Sequence, residues 1–323
     1  MCLYNGPENN SGDIQQLPNS PELDVMLCQS PDSGESGCDT SDDTMNQQSE
    51  NQQPARPGLW LPVWTLAERE LIRFLRQRTR VIGALGQPLL FWILFGAGLR
   101  NSFQAPAWSQ ALGRELTYQE YFFPGVAVLI VLFTAIFSTI SIIEDRKEGF
   151  LQGVLVSPIS RLALVLGKLT GGMLLSLIQA GIFLALAPWM GITISPLQFV
   201  LIFGFLGLLA FTLTALGFVM AWPLDSTQGY HALMSMLLMP MWLLSGAFFP
   251  GGETGWLSWV MRLNPLTYGI AALRRLLYWN HPLPTSIGLP SLATSILVTV
   301  MFAVLCISLS VVLASRQSSR NAR

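Results

Sequence analysis

Long apolar runs and short polar breaks alternate along most of the chain. Six runs stand out, at 81–99, 122–143, 162–187, 199–222, 232–249 and 292–313. Each is close to the roughly 20 residues that an α-helix needs to cross the hydrocarbon core of a bilayer. The pattern predicts six transmembrane helices. Pro88 and Pro240 fall inside two of the runs. Membrane helices tolerate proline because neighbours satisfy the freed carbonyl, so kinks are expected there rather than breaks. Before the first run, Trp64, Ala67, Leu71 and Phe74 recur at spacings of three and four, with Arg69, Arg73, Arg76 and Arg80 on the opposite face. This predicts an amphipathic helix lying in the membrane interface, its arginines turned toward lipid phosphates.

Two breaks between runs carry information. The first, Glu144-Asp145-Arg146-Lys147-Glu148-Gly149 continuing through Pro158 to Arg161, is a charged island between apolar runs. It predicts a loop solvated by water or by a water-facing partner. Lys168 follows as the inner end of the third span, its ammonium expected to snorkel to the surface. The second break, 250–290, holds two short helical stretches joined at Asn264-Pro265. Neither can span, and their ends need protein or water around them. A re-entrant helical hairpin in or over the outer leaflet is expected. Residues 1–57 are rich in Asn, Gln, Ser, Asp and Glu; they bury too little apolar surface to offset ordering entropy and are expected to be a disordered acidic tail. They lack the basic start and apolar core of a secretory signal. Met45 precedes a more ordinary beginning and is an alternative start. Residues 58–323 form one all-α integral membrane domain, with no internal repeat apparent.

Composition agrees with lipid as the solvent. The chain is 51% hydrophobic and 11% charged, against roughly 25% charged in soluble domains. Its net charge of −1 conceals an acidic stretch to Ala55, with ten Asp/Glu and no Lys or Arg, and a basic body with nine Asp/Glu against eighteen Lys/Arg. A basic body suits anionic headgroups. Nucleic acid is excluded, because the cations sit beside apolar runs without interleaved aromatics. With both termini cytoplasmic, thirteen Lys/Arg fall inside and five outside, the bias expected of an inner-membrane protein. Arg262, Arg274 and Arg275 strain that count from the outer hairpin, where Arg274 is expected at the interface.

Catalytic chemistry is missing. Gly167-Lys168 lacks the hydroxyl residue and the earlier glycine of a phosphate-binding loop, so the chain is expected to bind no cofactor and hydrolyse no nucleotide. His231 and Ser245 lie fourteen residues apart on one run, roughly 21 Å along a helix, too far to pair as base and nucleophile. Spans poor in buried ionisable groups speak against a proton- or sodium-coupled carrier. Cys2, Cys28, Cys38 and Cys306 form neither a disulfide framework nor a metal site. Thr134, Ser138, Thr139, Ser235 and Ser245 are either conduit-lining groups or side chains bonded to their own helix.

Two stretches resemble a known family. Glu144 to Leu151, then Val156-Ser157-Pro158-Ile159-Ser160-Arg161 and Gly167-Lys168, are similar to the cytoplasmic loop of type-2 ABC transporter permeases (drug, polysaccharide and lipid exporters). Ser245-Gly246-Ala247-Phe248-Phe249-Pro250 with Asn264-Pro265-Leu266-Thr267-Tyr268 and Arg274 is similar to that family's second signature. Phe150 departs, since a small hydroxyl residue is common there. The resemblance implies a permease that pairs with a second copy and docks on a separate ATPase carrying ATP and Mg. It implies that Glu144, Arg146, Lys147, Glu148, Gly149, Pro158 and Arg161 belong to the coupling region, and that Asn264, Pro265, Tyr268 and Arg274 shape the outer cap. A non-transporting scaffold that docks a soluble partner is the alternative.

Overall fold

The computed structural model describes residues 58–321, apart from 114, 157–158, 250–254, 282 and 287–288. The expected tail and Pro158 lie outside the described residues. Ten α-helices follow in order: α1 (Trp60–Arg76), α2 (Arg78–Gly98), α3 (Tyr118–Lys147), α4 (Phe150–Val156), α5 (Arg161–Leu184), α6 (Pro196–Ala221), α7 (Thr227–Trp242), α8 (Trp256–Leu263), α9 (Pro265–Leu277) and α10 (Leu292–Asn321). Among the described residues there is no strand, only an isolated bridge between Ser286 and Leu289. Among the described residues, five helices are long and apolar enough to cross a membrane: α2, α3, α5, α6 and α10. The run 232–249 is broken differently. α7 ends at Trp242 after 16 residues, and Leu243–Ala247 continue as a π-turn in which Gly246 adopts φ +79°.

The polar breaks start helices because their hydroxyls cap free N–H groups. Thr117, Ser160, Ser195 and Ser226 each accept from the backbone of the first turn of α3, α5, α6 and α7. Ser195 and Gln198 complete a reciprocal capping box. α3 is the axis. Its 30 residues reach about 45 Å, and α2, α5, α6, α7 and α9 pack round it. α2 touches the bundle along one stripe, Ala84, Pro88, Trp92 and Gly96, and leaves Ile82, Leu90, Ile93 and Leu94 exposed. Large apolar faces such as this do not persist against water.

Two expectations change. Glu144 to Lys147 are the last turn of α3, not a loop, because cations from α1 neutralise the carboxylates and let the helix continue. α1 is amphipathic as expected, but the buried stripe is Val63, Leu66, Ala67, Glu70 and Phe74. Trp64 faces outward at 61% exposure.

Candidate functional site

The charged island meets α1 at the C-terminal end of α3. α1 lies close against α5 because Gly167 and Gly171 leave a notch. A Cβ at Gly167 would fall 2.7 Å from Leu66 Cβ, and one at Gly171 would fall 2.8 Å from Glu70 Cβ. That approach sets Glu70 over Lys168. Lys168 Nζ donates to Glu70 and Asp145 and to Ser141 Oγ at 3.3 Å. Asp145 also accepts from Arg69, at 2.8 and 3.2 Å, and from Arg73. Arg73 donates to Glu144 at 3.0 Å and to Glu148 at 3.1 Å. Arg80, from the first turn of α2, donates to Glu144. Four cations and four carboxylates thus balance across α1, α2, α3 and α5. Glu70, Asp145 and Lys168 are almost fully removed from solvent. Burial would lower the Arg69 pKa, but the Asp145 carboxylate outweighs it and holds the guanidinium above its ordinary value. Lys168 therefore does not snorkel, and Arg69, Arg73 and Arg80 are spent on carboxylates rather than on lipid phosphates.

Gly149 turns the chain out of α3 at φ +75°, and α4 hangs from that turn. Phe150, the unusual residue of this loop, lies 3.6 Å beneath the Arg69 guanidinium. Leu151 is buried. Of the expected coupling residues, Lys147 and Glu148 face outward and Arg161 is half-buried at the start of α5. Arg146 turns the other way. It donates to Asp225 at 3.0 Å, to the Leu224 carbonyl at 3.2 Å and to the Trp222 carbonyl. Glu144 and Arg146 are thus both held by contacts within the bundle.

The opposite end of α3 holds the π-turn. Tyr121 donates its hydroxyl to the Gly246 carbonyl at 2.7 Å, and Tyr118 donates to Phe248 at 3.1 Å. Asn264, which caps α9 through Leu266 N–H, donates its amide to the Met241 carbonyl. Arg274 reaches in from α9. It donates to the Tyr121 and Gly246 carbonyls at 3.2 and 3.5 Å. Its guanidinium lies 4.4 Å from the Tyr121 ring and 5.2 Å from Trp108. Arg274 is 1% exposed, enclosed by the protein itself. Its length and planarity let it reach one carbonyl of α3 and one of the π-turn at once. Arg275 likewise takes four carbonyls of the following loop, from Leu283, Pro284, Leu289 and Pro290, and burial lowers its pKa. Pro265 starts α9, and Tyr268 donates to the Arg262 carbonyl at 2.9 Å.

A cavity of about 400 Å³ opens between α2, α3 and α7, lined by Gln87, Phe133, Phe137, His231, Ser235 and Met239 among others. Ser235 is the one expected conduit residue among its lining. Thr134, Ser138, Thr139 and Ser245 are buried and bond the carbonyls of their own helices. Thr134 and Thr139 also meet Gln179 and Tyr230. The methionines of the α7 run read in the sequence as either cargo contacts or apolar filling, since spacing alone does not show which face stays open.

An amphipathic helix docked on a bundle of long apolar helices, a charged junction carrying a short loop helix and a broken seventh helix before a helical hairpin make up this arrangement. The ABC-2 type transporter family model matches residues 62–278, from α1 to the end of α9. The chain belongs to the ABC-2 type transporter family. It is 31% identical over 215 residues, 66% of its length, to the transport permease ycf38 of Cyanophora paradoxa, 72% of which is covered. Identity to ycf38 of Porphyra purpurea is 29% over 65% of the chain and 71% of the relative. It is 23% to the daunorubicin resistance ABC transporter permease protein DrrB1 of Streptomyces coeruleorubidus, over 77% of the chain and 86% of that protein.

Proposed function

We propose that this transport permease is the membrane half of an ATP-driven exporter, which moves an amphipathic drug-like molecule, lipid or glycan outward by alternating access. A separate subunit binds and hydrolyses Mg·ATP and docks on the α3–α4 turn. Two copies of the permease pair across the conduit. The observation that carries this reading is the way α4 is held. A short helix is presented beyond Gly149, with Lys147 and Glu148 outward, while its base is fixed to α1 by Arg69 over Phe150. Such a lever has a purpose only if something outside the membrane pushes it. α7 and its π-turn supply a sixth crossing, the α8–α9 hairpin re-enters the outer leaflet, and both termini lie in the cytoplasm of an inner membrane. The excess of Lys and Arg on the α1 and α4 side supports that orientation. The aromatic and Met lining of the α2–α3–α7 cavity supports an amphipathic cargo, as does the relative named for daunorubicin resistance.

The test is co-expression with a candidate ATP-binding subunit and reconstitution in liposomes. Mg·ATP hydrolysis should exceed that of the free ATPase, and Glu148→Lys should abolish the excess while the protein still inserts. Equal hydrolysis with and without the permease would defeat the proposal.

A further inference from the structure

We propose that Lys168, Glu70 and Asp145 are positioning residues that weld α1, the end of α3 and the start of α5 into one rigid body, so that the interface helix travels with the α4 loop during transport. The inference rests on the reading that an ATPase pushes that loop. Three observations support it. The Gly167–Gly171 notch seats α1 at a separation that any side chain would forbid. The three ionic groups at its centre are 4–5% exposed or less, so sliding α1 would part charges where water cannot replace the lost partner. α4 is tied to α1 directly, through Phe150 beneath Arg69.

The other fastening at this end differs in kind. Arg146 meets the Leu224 and Trp222 carbonyls and Asp225, whose side chain is 86% exposed, so parting this contact strands no buried carboxylate. Motion is therefore directed to the boundary between the end of α3 and the α6–α7 turn, and away from α1.

Spin labels test this in the full permease–ATPase complex, with the native cysteines replaced by alanine. Thr65→Cys with Leu162→Cys measures α1 against α5, and Thr65→Cys with Met236→Cys measures α1 against α7. Between the nucleotide-free and vanadate-trapped states the first distance should stay fixed and the second should change. Movement between α1 and α5 would overturn the proposal. Lys168→Met should broaden the α1–α5 distance and lower stimulated ATP turnover by about fivefold or more, with the KM for ATP and complex assembly retained. A narrow distance with full turnover in that variant would also overturn it. If the unsubstituted complex shows no stimulated hydrolysis, the functional reading itself has failed and the inference falls with it.

Discussion

Lys168 and Arg274 are both buried cations of this protein, and they are balanced in opposite ways. Two carboxylates meet Lys168. Arg274 is held by carbonyls and ring faces. Removing either takes a bond from each of its partners. Lys168→Met should cost about 1.5–3 kcal/mol, because two buried carboxylates each lose a charge-assisted bond while Asp145 keeps Arg69 and Arg73 and Glu70 keeps Arg69. Arg274→Gln should cost about 1.5–3 kcal/mol through lost charge-assisted bonds. Asp225→Ala, which breaks an ion pair open to water, should cost less than about 1 kcal/mol. Thermal unfolding in detergent measures all three. The identity of these residues was plain in the sequence, but their partners were not. Lys168 pairs with a residue 98 positions away, and Arg274 bonds one 153 positions away, so no local spacing announces either contact. The snorkelling expected of Lys168 failed for this reason: a cation at the end of a span looks the same whether lipid or a carboxylate awaits it.

Elements were more legible than side chains. Apolar periodicity found α1 and the long helices, because burying a face or crossing lipid imposes a repeat that survives without any partner in view. It missed where α3 ends. Charges usually stop an apolar helix, but Arg73 and Arg80 offset Glu144 and the helix runs on to Lys147. It also missed how α7 ends. Ser245-Gly246 reads as small residues in a span, whereas Gly246 breaks the helix in the left-handed region. Gly246→Ala should cost about 1–2 kcal/mol for that conformation. A Cβ there also falls 2.8 Å from Met261 Cε, a tip that can swing aside. Loss of export with α10 still inserted, followed by protease protection of the C-terminus, would place that cost at the turn.

At the scale of the whole molecule, Arg274 is engaged by carbonyls of α3 and the π-turn and Arg275 by carbonyls of the loop after α9, so neither is a free surface charge. Accessibility labelling should then find Lys147→Cys from the cytoplasm and Asn280→Cys from the opposite face, both positions being exposed. Labelling of both from one side would refute the proposed topology. The general plan of helices was readable because lipid dictates length and composition. The cavity was not, since an open face and a packed face of α3 use the same apolar residues.

The junction at the end of α3 also sets an order of events on the ribosome. Glu70 leaves first, Asp145 follows, and the lysine that both require is made last. Until then Arg69 and Arg73 are available to shield the aspartate, while Glu70 has only its neighbour Arg69. A nascent chain halted before its fifth helix therefore carries an unfinished joint, and the first segment can take its permanent seat only once that helix has entered the membrane.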